Sequence, residues 1–164
     1  GSMRPEHFRG VATVVAKLLL AFEPQRAYFG QKDAQQALVI KRMVHDLNFP
    51  LQVVVCPIVR EPDGLAMSSR NTYLDLEERA AATVLYRSLC AAEESFHGGE
   101  RSAPALREKM LEVLNSEPLA DVQYVSVADP ETLQELDGAM DRALLSMAVH
   151  IGTTRLIDNV QIGG

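Results

Sequence analysis

The chain has 164 residues, of which 47% are hydrophobic and 5% aromatic, with no Trp, so it can bury an aliphatic core as one domain or two small ones. A formal net charge of −6 argues against nucleic acid as the natural partner, because neutralising phosphates needs a basic face. No apolar run reaches the roughly 20 residues of a membrane span, and no secretory signal follows Gly1-Ser2-Met3, which reads as a cloning remnant.

Residues 4–22 read as a helix. Val11, Val14, Val15, Leu18, Leu19 and Phe22 recur at three- and four-residue steps, Pro5 suits the first turn and Pro24 stops the pattern. Residues 26–29 form a short strand ending at Gly30. Residues 33–47 return to helical period through Ala37, Leu38, Ile40, Met43, Val44 and Leu47, with Asn48 and Pro50 beyond. Residues 51–59 are a continuous apolar strand of the kind buried on both faces of a parallel sheet. Helix, strand, helix, strand gives a β-α-β unit with a right-handed crossover. That is about half of a doubly wound nucleotide-binding domain. Ligands of such sheets sit beyond the carboxyl ends of the strands, which puts residues 30–33 and 59–60 side by side.

The composition changes after Asp63. Residues 76–96 read as one long Ala-rich helix with Asp75 as N-cap and Gly98-Gly99 as its end. Residues 102–115 form another, capped by Ser102. Residues 122–127 alternate as a half-buried strand, Asp129-Pro130 and Asp137-Gly138 mark turns, and residues 142–151 and 155–162 read as two strands around Gly152. The second half is thus α+β with a small antiparallel sheet. The expected domains are 4–62 and 63–164. Cys56 in an apolar run and Cys90 on a helical pattern read as buried thiols rather than ligands or a disulfide, which fits a cytoplasmic location. Four scattered His show no metal-ligand spacing.

Two tracts carry chemistry. Asp63-Gly64-Leu65-Ala66-Met67-Ser68-Ser69-Arg70-Asn71 sets two hydroxyls and a guanidinium at consecutive positions, a cluster suited to phosphate. A solvated turn capped by Ser and Asn is the alternative for the Ser-Ser-Arg-Asn portion alone. Upstream, Phe29-Gly30-Gln31-Lys32-Asp33-Ala34-Gln35-Gln36 is a strand end opening into a helix. There Lys32 stands beside free backbone N–H groups, where a mobile cation can meet phosphate, against the alternative of a solvated surface Lys. Asp33 can cap the helix or bind a ribose, and the roles are compatible. Gly30 would let a ligand approach the backbone closely.

Together these tracts resemble the pantothenate synthetase, or pantoate–β-alanine ligase, family. That family reads Phe-Gly-Glu-Lys-Asp-x-Gln-Gln and then Arg-Glu-x-Asp-Gly-Leu-Ala-x-Ser-Ser-Arg-Asn at this separation. The closing Gly152-Thr153-Thr154-Arg155-Leu156-Ile157-Asp158-Asn159 also resembles its C-terminal end. The resemblance runs from Arg4 onward. It implies an α/β fold: the second half of a Rossmann-like nucleotidyltransferase domain, then a small α+β C-terminal domain. It implies an ATP-dependent ligase that condenses pantoate with β-alanine through pantoyl adenylate, in coenzyme A biosynthesis.

Carried over residue by residue, the resemblance implies that Gly30, Lys32, Asp33, Val59, Met67, Ser68, Ser69 and Arg70 bind ATP. Lys32 and Arg70 also carry catalysis, and Gln36 binds pantoate. Ala34 and Gln31 depart from the family's usual aromatic residue and Glu. Mg²⁺ arrives with ATP rather than in a protein cage. The implied parent is a homodimer without nucleic-acid or membrane partners. The superfamily's His-x-Gly-His signature is missing: His150-Ile151-Gly152 is followed by Thr153. The chain therefore resembles only the C-terminal portion of such an enzyme and is expected to be inactive alone. Two rivals are an isolated non-catalytic lid module and another nucleotidyltransferase-superfamily adenylyl enzyme. Gln36 and residues 65–69 argue against the second. Arg155 and Asp158, three apart, read as a structural ion pair or strand-end contacts rather than catalytic groups.

Overall fold

The computed structural model describes residues 5–163, so Arg4, the first residue of the expected helix and first domain, lies outside the described residues. The chain divides into two compact units, Gly1–Ile58 and Val59–Gly164.

The first unit runs α1 (Pro5–Phe22), β1 (Arg26–Gly30), α2 (Ala34–Asp46) and β2 (Gln52–Cys56). β1 and β2 pair in parallel from Arg26↔Gln52 to Gly30↔Cys56. Leu19, Ile40 and Val44 form the small core, with Val11, Val15, Ala27, Phe29 and Val53 against it. The buried stripe of α1 is therefore the four-residue ladder Val11, Val15, Leu19. Val14, Leu18 and Phe22, which share the helical period, face outward.

β2 is shorter than the expected 51–59 strand. Pro57 follows Cys56 and has no N–H to donate to a ladder. Gln52 is exposed and the other four residues are half-buried rather than buried on both faces, since the described sheet has two strands. α2 ends as its sequence predicts: Asn48 takes a φ of 53°, the left-handed conformation favoured just past a helix.

The second unit runs α3 (Leu76–Ala81), α4 (Val84–His97), α5 (Ala103–Asn115), β3 (Ala120–Ala128), β4 (Ala143–Ile151) and β5 (Thr154–Ile162). The antiparallel sheet has the order β3-β4-β5, with β4 central and almost wholly buried. Leu85, Leu89 and Phe96 of α4, Leu106, Met110 and Leu114 of α5, and Leu145, Met147, Val149 and Ile151 of β4 belong to one continuous core.

The expected helix 76–96 is broken at Ala82–Thr83. There the bonds tighten to three-residue steps: Thr83 N–H to Ala80 O and Leu85 N–H to Ala82 O, both 3.3 Å. The Thr83 hydroxyl also donates to Ala80 O at 2.8 Å, a local side-chain bond that competes with the helical ladder. Upstream, Asp75 and Glu78 form a reciprocal capping box. β3 carries an irregularity between Val122 and Tyr124, where Gln123 is the extra residue. Gly152, at a φ of +56°, turns β4 into β5.

Candidate functional site

In the first unit, β1 delivers Gly30 to a single 3₁₀ turn, Gln31–Asp33, which leads straight into α2. Gly30 is exposed, its backbone is ordinary extended chain, and a Cβ there would meet nothing within 4 Å. The protein's own packing thus does not demand glycine, and space is open above it. Lys32, Asp33 and Gln36 are half-buried around the same helix start. Asp33 caps α2, accepting from Gln36 N–H at 3.3 Å. This unit therefore gathers Gly30, Lys32, Asp33 and Gln36 within one helical entry.

In the second unit, residues 59–67 form a small hairpin around the bridge Arg60↔Ala66. Glu61 N–H donates to Leu65 O at 2.8 Å, Gly64 N–H to Glu61 O at 2.9 Å and Met67 N–H to Val59 O at 2.9 Å. Val59 and Met67 stand opposite each other and are 66% and 50% exposed. Opposed residues share a face of such a ladder, so two open apolar side chains lie together. Leu65 and Ala66, in contrast, are buried.

The chain then enters a 3₁₀ turn, Ser69–Tyr73, capped by Ser68, whose hydroxyl accepts from Arg70 N–H at 3.3 Å. The Asn71 amide donates to Ala66 O at 3.2 Å. Ser69 and Arg70 are exposed. Among the described residues, the Arg70 guanidinium has no hydrogen-bond or ion-pair partner. The Asp63–Asn71 tract thus splits in function: its first half builds the hairpin, and its second half presents hydroxyls and a cation outward.

The hairpin's supports were not visible in the sequence. Arg60 donates from Nη1 to Asp158 Oδ2 at 2.6 Å and to Gly64 O at 3.0 Å, and from Nη2 to Asp158 Oδ1 at 3.0 Å and Asn159 O at 3.4 Å. Its guanidinium also lies 4.5 Å from the centre of the Tyr86 ring, a cation–π arrangement. Asp158 does not pair with Arg155, as its spacing suggested. Positions three apart on a strand face opposite ways, and Arg155 donates to Gln123 Oε1 at 2.7 Å instead.

Asp63 binds both Arg79 Nη atoms, at 2.7 and 3.2 Å. Those bonds hold its carboxyl below the ordinary carboxylate range. The Cys90 thiol, one turn along α4, pushes the Tyr86 hydroxyl up. Gly64 takes a φ of +92°, and a Cβ on it would lie 1.9 Å from Tyr86 Cδ1. The cue available in the sequence was Asp158 itself, the one charge in the strand phase Thr154, Leu156, Asp158, Val160 and Ile162.

Cys56 and Cys90 are free and half-buried rather than fully buried. Among the described residues, no group of three or more His, Cys, Asp or Glu could hold a metal ion, and no helix is long and apolar enough to cross a membrane.

Residues 1–161 match the family model described as pantoate-beta-alanine ligase. The chain belongs to this family. The pantothenate synthetase of Roseiflexus sp. (strain RS-1) is 65% identical over 159 residues, which is 97% of this chain and 57% of that protein. The chain thus spans a little over half the length of the curated relatives it matches. The crystal structure of pantothenate synthetase from Thermus thermophilus superposes with a TM-score of 0.94 at 48% identity, covering 100% of this chain and 59% of the other. The pantoate-beta-alanine ligase of Francisella tularensis, solved in complex with beta-gamma ATP and beta-alanine, matches with a TM-score of 0.69 at 35% identity, covering 98% and 52%. The α/β fold, a parallel pair followed by a three-stranded antiparallel sheet, is that of pantothenate synthetases.

Proposed function

We propose that this chain forms the C-terminal portion of an ATP-dependent pantoate–β-alanine ligase. Its first unit, to Ile58, is the second half of the Rossmann-like domain, and its second unit, from Val59, is the small C-terminal domain. The observation that carries this reading is the segment that follows the Val59–Met67 hairpin, half-buried Ser68 and then exposed Ser69 and Arg70, in a chain of this family.

The pantoate carboxylate attacks the α-phosphorus of ATP, forming a carboxyl–phosphate bond and releasing pyrophosphate. The β-alanine amine then attacks the mixed anhydride, AMP leaves, and the amine gives up a proton. Both steps shift negative charge on phosphate oxygens, so positioning and electrostatic stabilisation are the protein's main tasks.

Arg70 offers a fork of donors and Lys32 a compact cation. Ser68 and Ser69 add hydroxyl donors. Gly30 gives the nucleotide close access to the backbone, and Asp33 can take the ribose on an oxygen not used by the cap. Val59 and Met67 offer an apolar contact for the adenine. Gln36, able to donate and accept, suits the hydroxy acid.

ATP enters with its Mg²⁺ as substrate. Asp33 and Asp63, the acids within the two tracts, are already engaged in a helix cap and the Arg79 pair. The ATP and beta-alanine in the Francisella tularensis complex support this substrate set. By the family resemblance, the whole enzyme works in the cytoplasm as a homodimer. The chain carries no His-x-Gly-His tract, and alone it is proposed to turn over nothing.

Pantoate-dependent ATP–pyrophosphate exchange by the whole ligase carrying this sequence tests the reading. Exchange that needs pantoate and disappears in Arg70→Ala supports it. Exchange indifferent to pantoate refutes it.

A further inference from the structure

We propose that Arg60 is a positioning residue, clasping the Val59–Met67 hairpin to β5 so that Ser68, Ser69 and Arg70 are held ready for the ATP phosphates. This rests on the nucleotide role proposed above for those three residues.

The geometry is an interlock. One face of the guanidinium lies over Tyr86, and Gly64 packs so closely on the same ring that a Cβ would overlap it. The donors tie the hairpin tip, through Gly64 O, to Asp158 and Asn159 of β5. Asp158 Oδ1 also accepts from Asn159 N–H at 2.8 Å, which fixes the carboxylate that receives Arg60. Ala66, bridged to Arg60, accepts from the Asn71 amide on the far side of Ser68–Arg70. The exposed segment is therefore held at both ends, and one of those ends traces back to the guanidinium. A planar fork is needed, because Lys carries the charge without simultaneous bonds to two carboxylate oxygens and two carbonyls.

The test replaces both charges together, as R60M/D158L, so that no buried charge is left unpaired. Two readouts are taken: amide exchange of Leu65 and Met67 in this chain, and separate KM values for ATP and pantoate in the whole ligase. We expect a cooperatively folding variant in which those amides exchange about tenfold faster or more. KM for ATP should rise by about tenfold while KM for pantoate stays put.

Unchanged exchange overturns the clasp. Faster exchange with an unchanged KM for ATP overturns the positioning role. A wild-type enzyme that does not use ATP removes the functional reading, and Arg60's role with it; the exchange arm does not involve ATP, so the two failures are told apart. If the double variant does not fold, Arg60→Lys carries the same readouts, with the same outcomes supporting or overturning the proposal.

Discussion

Arg60 and Asp158 lie 98 positions apart, yet the guanidinium of one meets both carboxylate oxygens of the other at 2.6 and 3.0 Å. Asp158 is 2% exposed, so water cannot replace a lost partner. Arg60→Ala or Asp158→Ala should each destabilise the second unit by about 3–5 kcal/mol, whereas R60M/D158L should lose far less. Urea unfolding of the three variants checks this. A double variant as unstable as the sum of the singles would contradict the pairing.

Gly64 and Gly152 both take positive φ, at +92° and +56°, but they differ in what surrounds them. A Cβ on Gly64 meets a packed aromatic ring, while one on Gly152 meets the flexible end of Glu78. Gly152→Ala should lose about 1–2 kcal/mol from backbone strain. Gly64→Ala adds an overpacking loss of about 1–3 kcal/mol. Equal shifts in the unfolding midpoint would mean that the Tyr86 ring moves aside without resistance.

The Asp63–Arg79 pair gives a pH signature. The Arg79 bonds lower the folded-state pKa of Asp63 below its ordinary 3.8. The stabilisation is therefore present above that ordinary value and is lost as pH falls through the lower folded value. Asp63 is 44% exposed, and exposed pairs contribute only about 0.2–1 kcal/mol. Asp63→Asn should melt slightly below wild type at neutral pH, and the two curves should converge in strong acid. A gap that widened on acidification would give the linkage the wrong sign.

In the whole ligase, Lys32→Ala and Arg70→Ala should each slow adenylate formation by about 10²–10³, the usual loss for one preorganised charge contact. Arg70 is exposed, so its removal should leave the melting temperature nearly unchanged. Gln36→Ala should instead raise the requirement for pantoate more than that for ATP. Rapid-quench measurement of adenylate, varying each substrate in turn, separates these effects. Near-normal adenylation by Lys32→Ala would end its assignment.

Local signals in the chain located most of the elements. The capping acids Asp33 and Asp75 mark the entries to α2 and α3, and alternation located β3, β4 and β5 to within a few residues. Three of the features that escaped share a physical reason: each depends on a partner or a face that local sequence does not specify. The break at Ala82–Thr83 depends on a hydroxyl choosing a carbonyl three residues back, in a stretch whose period stays helical. The outward face of α1 shares the apolar rhythm of its buried stripe, so period alone could not separate Val14 from Val15. Most of all, the residues that present Ser68–Arg70 could be named from their tract, but their support could not. Arg60 and Asp158 belong to different elements, and nothing near either position in the chain announces the other.

That separation bears on how the protein is made. When the hairpin around Gly64 is synthesised, the carboxylate that secures it does not yet exist. At roughly 5–20 residues per second, the 98 positions between the two partners correspond to a wait of about 5–20 s. During this interval the hairpin is untethered, with Leu65 and Ala66 not yet covered by their final neighbours. The Arg60 clasp can close only after Asp158 has been translated and β5 has folded back.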